Sequence, residues 1–162
     1  MGATVRFHLG AGDKYWPGYI NVDLYGDQDV IYDCRRMHAF ETDYADEIHA
    51  IHYVEHVSRL SLENMLCEWH RVLKPGGRVA IEVPCLDKIA KMIVAGEKNL
   101  RLTLLGLFGD PRDQKPDMMH QWCYSGAELC EALSQCGFKD MKVMEPHYHI
   151  PMRDMRVEAV KP

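Results

Sequence analysis

Residues 8–13, His-Leu-Gly-Ala-Gly-Asp, have the residue types of a turn that holds a nucleotide. A strand that leads into Gly-x-Gly lets the backbone turn where a Cβ atom would collide with a bound molecule. Asp23 ends the next apolar run, and an acid at the tip of a strand can accept hydrogen bonds from ribose hydroxyls. Together these residues predict a pocket for a cofactor that carries adenosine.

The same region argues against a dinucleotide. A dinucleotide site needs a third glycine and a helix whose N-terminus faces the pyrophosphate. Here Tyr15 occupies the third glycine position, and Trp-Pro-Gly at 16–18 ends any helix. The short interval between Gly12 and Asp23 also leaves no room for an ordinary crossover helix.

Pairs of histidines raise the question of a metal. His147 and His149 have the alternate spacing of a strand, but no cysteine or carboxylate close to them completes a ligand set. His52 and His56 would form a metal pair only in a helix, and the sequence predicts a strand end there. We therefore predict no metal site, and we expect the loop with His147 and His149 to line the mouth of a substrate pocket.

The length of 162 residues predicts a single domain with one core. The formal net charge of −5 provides no basic field for nucleic acid. No apolar run approaches the ~20 residues of a membrane span, and the N-terminus has no signal-peptide core. The six cysteines form no Cys-x-x-Cys pair, which predicts reduced thiols in a cytoplasmic protein.

Strand and helix patterns alternate along the chain, which indicates an α/β layer fold. Predicted strands cover residues 5–9, 19–24, 30–33, 47–54, 78–83, 139–145 and 155–160. Predicted helices follow the N-cap residues Ser61 and Ser125, and a third covers about 86–95. The loop 146–154 is too short for a crossover helix, so the last two strands should be antiparallel neighbours. Residues 97–124 are the least regular segment and are expected to form a lid.

Four motifs, including the glycine turn and the run that ends at Asp23, occur in a characteristic order and spacing, at residues 8–12, 21–23, 46–57 and 68–79. The last contains Leu-Lys-Pro-Gly-Gly before a β-branched strand, which is more specific than Gly-x-Gly alone. With these motifs the chain resembles a minimal class I S-adenosylmethionine-dependent methyltransferase, of the small methyltransferase-domain group (type 11-like). The resemblance covers nearly the whole chain and implies one such domain over 1–162.

The resemblance implies a Rossmann-like three-layer sandwich. Its seven-stranded, mostly parallel sheet would have the order 3-2-1-4-5-7-6, with the last strand antiparallel. S-adenosylmethionine would be the cofactor and S-adenosylhomocysteine the product. The residues expected to bind the cofactor are His8, Gly10, Ala11, Gly12, Asp13, Asp23, Leu24, Asp33, Cys34, His52 and Tyr53.

Within that set the resemblance implies separate roles. Gly10 and Gly12 would lie against the methionine part, and Asp23 would bind the ribose hydroxyls. Asp33 would accept a hydrogen bond from the adenine amino group, or it could be a solvated turn residue. Cys34 would offer its backbone amide to the adenine ring.

The implied activity is methyl transfer to an oxygen or nitrogen atom of a small-molecule acceptor. Because the methyl group of a sulfonium is already activated, the protein has chiefly to align the nucleophile and exclude water. A hydroxyl or a protonated amine also needs a general base, for which the candidates are His56, next to Glu55, and His120. Alternatively, His56 could cap the following helix and His120 could pack the lid onto the core.

Two other functions stay open. The fold could serve a partner protein as a non-catalytic binding module. An NAD-dependent oxidoreductase is a weaker alternative, since the third glycine and a Tyr-x-x-x-Lys motif are missing. The first strand begins near residue 5, so we expect no N-terminal cover helices. The lid at 97–124 or the second subunit of a homodimer would then cover the cofactor.

Overall fold

The computed structural model describes residues 3–96, 99–112 and 118–162. Within them lie the strands β1 (Arg6–Leu9), β2 (Ile20–Asp23), β3 (Val30–Ile31), β4 (Ala45–Ile51), β5 (Leu73–Pro84), β6 (Lys139–Met144) and β7 (Asp154–Val160). The α-helices are α1 (Leu62–Val72), α2 (Leu86–Val94), α3 (Leu100–Phe108) and α4 (Gly126–Gln135). Two 3-10 helices, Val54–His56 and Arg59–Ser61, connect β4 to α1. None of the helices in the described residues has the length and apolar character of a membrane span.

The strands form one sheet in the order β3-β2-β1-β4-β5-β7-β6. β1 to β5 pair in parallel, and β7 pairs antiparallel with both β5 and β6. The predicted strand order and antiparallel last strand are therefore confirmed. Because β1 lies between β2 and β4, the carboxyl ends of these three strands meet at one edge of the sheet.

One face of the sheet is apolar and is covered by α1 and α4. Alternate residues of the central strands belong to it, among them Leu9, Ile48 and Ile81, which are fully buried. α1 adds a stripe at helical spacing, formed by Leu62, Met65, Leu66, Trp69 and Val72. The Trp69 indole also donates a hydrogen bond of 2.8 Å to the Cys34 carbonyl, which ties this helix to the loop after β3.

The opposite face of the sheet is polar. Its residues occupy the intervening positions of the same strands and include His8, Glu47, His49, Arg78, Glu82, Arg156 and Glu158. Loop side chains cover the part of this face next to β1 and β4. Trp16 stacks on His8 with ring centroids 4.1 Å apart, and its ring lies 4.7 Å from that of Tyr148. Aromatic residues from loops thus cover the polar face at β1 and β4.

Two predicted segment boundaries differ from the structure. β4 ends at Ile51 rather than at residue 54, because His52 has a φ of +52°, which no strand accommodates. The segment 97–124 is less irregular than predicted, since residues 100–108 form α3. Its residues 97, 98 and 113–117 lie outside the described part of the chain.

The two predicted N-caps have different outcomes. Ser125 caps α4 as predicted, because its hydroxyl accepts a hydrogen bond of 3.1 Å from the Glu128 amide. Ser61 precedes α1, but its side chain makes no capping hydrogen bond. The 3-10 helix that runs into α1 already supplies the preceding turn.

The prediction of reduced thiols throughout the chain is wrong. Cys67 and Cys136 form a disulfide that joins α1 to the residue after α4. The two cysteines are 69 positions apart in the sequence, so no local motif reveals their pairing. The other described cysteines, Cys34, Cys85, Cys123 and Cys130, are free. A covalent link therefore holds together the two helices that cover the apolar face.

Candidate functional site

A cavity of about 270 Å³ lies at the carboxyl ends of β1, β2 and β4. Open α/β sheets bind their ligands at this position, where the strand order reverses. The lining consists of Gly10, Ala11, Gly12, Asp13, Lys14, Asp23, Leu24, Tyr25, Cys34, Ile51, His52, Tyr53, His56, Met118 and His149. All the predicted cofactor-binding residues are among them except His8 and Asp33.

Gly10 cannot be replaced by a larger residue without moving its neighbour. Its φ is +67°, and a Cβ atom at this position would overlap the Tyr53 ring. The ring therefore packs directly on the glycine turn and forms one wall of the cavity. The amides of Gly10 and Ala11 donate to the Val22 carbonyl at 2.9 and 3.2 Å, which anchors the turn to β2.

Asp23 is oriented by the backbone around it. Its Oδ2 accepts a hydrogen bond of 2.9 Å from the Gly12 amide, and its Oδ1 accepts one of 3.1 Å from the Tyr25 amide. Each carboxylate oxygen has a further lone pair. The side chain can therefore accept two more hydrogen bonds from inside the cavity, as binding to a ribose requires.

Asp33 and Cys34 are adjacent in sequence but differ in their surroundings. Cys34 is buried in the cavity wall, and burial raises the pKa of its thiol to about 12, so the thiol stays neutral. Asp33 accepts hydrogen bonds from Nε and a terminal nitrogen of Arg35, at 2.8 and 2.9 Å. An ion pair thus occupies the carboxylate that was predicted to contact adenine.

His52 lies between two carboxylates at the end of β4. Its Nδ1 is 2.6 Å from Glu55 Oε1, and its Nε2 is 3.3 Å from Asp154 Oδ2. Burial disfavours the charged ring, but the two carboxylates outweigh it and raise the pKa of His52 to about 10. The backbone of His52 also has a positive φ, which is unfavourable for a residue other than glycine and must be maintained by the surrounding structure.

The two predicted bases lie side by side. The rings of His56 and His120 have centroids 4.9 Å apart and nearly perpendicular planes. His56 lines the cavity, whereas His120 is outside the lining and donates a hydrogen bond of 3.0 Å from Nδ1 to the Gly106 carbonyl. Burial lowers the pKa of His120, which favours the neutral ring. Glu55 lies against both histidines and is completely buried.

A second cavity, of about 210 Å³, adjoins the first on the polar face of the sheet. It shares part of its lining with the first and adds His8, Trp16 and Tyr148. His8 thus lines this cavity and not the first one. Its Nδ1 is hydrogen-bonded to Asn21 Oδ1 at 3.1 Å, and burial lowers its pKa.

Sequence reasoning missed several residues of the first cavity. Lys14, Tyr25 and Ile51 are next to predicted residues and would be included by a wider window around each motif. Met118 comes from the segment predicted as a lid, and its position at the cavity depends on contacts remote in sequence. His149 lies in the loop that was predicted to line the substrate mouth.

A family model described as a methyltransferase domain matches residues 8–143. No curated protein sequence matches the chain at a significant level. Among solved structures, a SAM-dependent methyltransferase from Archaeoglobus fulgidus has a TM-score of 0.67 at 15% identity, over 99% of this chain and 87% of that one.

Two further structures are similar. A SAM-dependent methyltransferase from Methanosarcina mazei has a TM-score of 0.68 at 15% identity, over 99% of this chain and 94% of its own. One from Thermotoga maritima has a TM-score of 0.68 at 13% identity, over 100% of this chain and 84% of its own. At such identities these structures establish the likeness of the fold.

Proposed function

This chain belongs to the S-adenosylmethionine-dependent methyltransferases, and we propose that it methylates a small-molecule acceptor at an oxygen or nitrogen atom. When bound, the cofactor supplies a methyl group that is already activated on sulfur. The proposal depends on one observation. The glycine turn, Asp23, His52 and His56 all border one cavity at the carboxyl ends of β1, β2 and β4.

The residues of this cavity fit the cofactor. Asp23 has lone pairs available for the ribose hydroxyls, in the orientation that the Gly12 and Tyr25 amides impose. Gly10 leaves room where a side chain would meet the Tyr53 ring. We assign the methionine part to this turn, with Asp13 at its rim.

The second cavity supports a small acceptor. Trp16 and Tyr148 line it, and it adjoins the first cavity through shared residues that include His149. Its volume of about 210 Å³ accommodates a compact organic molecule rather than a polymer. The net charge of −5 is also unfavourable for a nucleic-acid acceptor.

His56 and His120 are proposed to activate the nucleophilic atom of the acceptor. His56 lines the first cavity, and His120 packs against His56 from outside that lining, with its Nδ1–H donated to the Gly106 carbonyl. Alignment of the nucleophile and exclusion of water would supply the rest of the rate enhancement. Met118 lines the first cavity and would contribute to its cover.

Calorimetric titrations with S-adenosylmethionine, S-adenosylhomocysteine and NAD test the cofactor, and a screen of small hydroxyl and amine compounds tests the activity. We expect binding of the first two ligands and no binding of NAD. Binding of NAD alone would reject the proposal. Cofactor binding without transfer to any acceptor would favour a non-catalytic module.

The role of Asp23 has its own test. Asp23→Ala should weaken binding of S-adenosylhomocysteine by at least about 1.5 kcal/mol, the scale of hydrogen bonds to a charged group. Asp87→Ala, which removes an exposed carboxylate on α2, is the matched control and should leave binding unchanged. Equal affinities in both variants would remove Asp23 from the site.

A further inference from the structure

Three groups that can bind a metal converge beside the first cavity. Glu55 and His56 belong to the 3-10 helix after β4, and His120 follows α3. One potential ligand atom of each lies within 4.8 Å of those of the other two. The amides of Gln121 and Trp122 donate to the Glu55 carbonyl at 2.7 and 3.2 Å, which holds the two segments together.

The carboxylate of Glu55 is an unusual group to find in this position. Its side chain is completely buried, and its Oε2 has no hydrogen-bond partner among the described residues. Oε1 is 2.6 Å from His52 Nδ1. Nδ1 of His56 is also buried without a partner in the described part of the chain. Buried polar atoms in native proteins are nearly always satisfied, so these two atoms are available as partners for a ligand bound at this point.

The ring of His120 is oriented in the way that metal-binding histidines are. Because a carbonyl oxygen can only accept, the hydrogen bond to Gly106 requires the proton to be on Nδ1. The lone pair is therefore on Nε2. Such a hydrogen bond from the second ring nitrogen to a backbone carbonyl fixes the tautomer of histidines that bind metals.

A neighbouring group of similar composition, formed by His52, His149 and Asp154, is less suitable. Both ring nitrogens of His52 face carboxylates. The oxygens of Asp154 already accept hydrogen bonds from the Arg153 guanidinium at 2.6 and 2.9 Å and from the Ile150 amide at 3.1 Å. Few lone pairs remain in this group for an ion.

We propose that Glu55, His56 and His120 bind a divalent transition-metal ion. Two imidazoles and one carboxylate are a ligand set of catalytic zinc sites and leave at least one coordination position open. Because His56 lines the first cavity, the open position would face that cavity, into which an acceptor in the adjoining second cavity would extend its nucleophilic atom.

The role of this ion toward the acceptor rests on the proposed function. A hydroxyl compound bound to the ion loses its proton to water at a lower pH than it would in solution. Its oxygen gains the methyl group as the S–CH₃ bond breaks, and S-adenosylhomocysteine leaves neutral. The two histidines then activate the acceptor as ligands rather than as bases.

The test uses the full chain after dialysis against EDTA, with Zn²⁺ as the calorimetric probe and Co²⁺ as the spectroscopic probe. We expect one equivalent of Zn²⁺ to bind and the visible bands of Co²⁺ in a low-symmetry nitrogen and oxygen site to appear. Glu55→Gln and His120→Gln should each weaken Zn²⁺ binding by at least about tenfold. His149→Gln, in the neighbouring group, should not.

Circular dichroism of each variant shows whether it folds. If Glu55→Gln does not fold, His120→Gln provides the test, because His120 is only half-buried. The proposal is overturned if the wild-type protein binds no Zn²⁺, or if His149→Gln abolishes binding while His120→Gln does not. Full methyl transfer by the EDTA-treated protein would overturn the catalytic role of the ion and leave the proposed function intact. Zn²⁺ binding in a protein that does not bind S-adenosylmethionine would support the metal site and reject the proposed function.

Discussion

The two faces of the sheet are stabilised in different ways. The face under α1 and α4 is a continuous apolar core in which Trp69 and Leu66 are fully buried. The other face carries ionisable side chains across neighbouring strands. Glu47 on β4 lies between Arg6 on β1 and Arg78 on β5, at 3.6 and 2.8 Å.

The polar face itself has two parts. Toward the carboxyl ends of the parallel strands, Glu82 and Arg156 are almost completely buried and paired at 2.9 Å, and Glu82 also accepts hydrogen bonds from the amides of His147 and Tyr148. Toward the amino ends of the parallel strands, Arg6 and Arg78 are partly exposed. In the described part of the chain, cross-strand ion pairs and loop aromatic residues thus stabilise this face, whereas apolar helices cover the other. The cost of disrupting each part should differ accordingly.

The largest effect is expected on the apolar face. Trp69→Ala should lower the free energy of unfolding by about 4 kcal/mol, because it leaves a cavity in the core and removes the donor to the Cys34 carbonyl. Trp122→Ala, at a side chain that is 44% exposed, is the matched control and should cost below about 1 kcal/mol. Urea unfolding measures both. Similar values for the two variants would contradict the difference in packing.

The buried pair of Glu82 and Arg156 on the polar face should come next. Glu82→Gln should destabilise the protein by about 3 kcal/mol, because it leaves the Arg156 charge buried with one partner fewer. Glu158→Gln removes the other partner of Arg156, which is more exposed, and should cost below about 1 kcal/mol. If the two variants are equally stable, burial does not determine how much an ion pair on this face contributes to the free energy of unfolding.

The pH dependence of stability tests His49, which is buried on the polar face beside Glu47. Burial and the charge of Arg156 lower the pKa of His49 to about 4. Above its unfolded pKa of about 6.5 the ring is neutral in both states. Between about pH 6.5 and pH 4 only the unfolded chain takes up the proton. The free energy of unfolding therefore decreases by about 2–3 kcal/mol as the pH is lowered through this range.

The measurement compares wild type with His49→Gln, which cannot titrate at this position. Their difference in unfolding free energy should change by that amount between pH 7 and pH 4, while the contributions of other groups cancel. A difference that is constant over this range would show that His49 titrates normally in the folded protein.

The smallest effect is expected where the polar face meets solvent. Arg78 is 56% exposed, so its pair with Glu47 is screened by water and salt. Arg78→Ala should change the free energy of unfolding by about 0.5 kcal/mol, and the change should decrease at high salt. A loss comparable to that of Glu82→Gln would mean that the whole polar face acts as one network.

Much of the fold could be predicted because its signals are local. The glycine turn, the acid at the end of β2 and the Ser125 cap each depend on residues close in sequence, and all lie where they were predicted. His52 is an exception, since its φ is positive and one of its two carboxylate partners, Asp154, is remote in sequence. A β-compatible sequence continues through this position, so the pattern alone extended the strand too far.

The sequence by itself determined the order of the strands along the chain, the turn at Gly10 and the position of Asp23, because strand periodicity and backbone sterics act between neighbouring residues. Only the tertiary structure decided that His120 meets Glu55 and that Cys67 meets Cys136. These contacts join segments that are remote in sequence, and they form only when the sheet and the packing of its helices bring the segments together. The same packing makes one face of the sheet part of the hydrophobic core and leaves paired charges on the other.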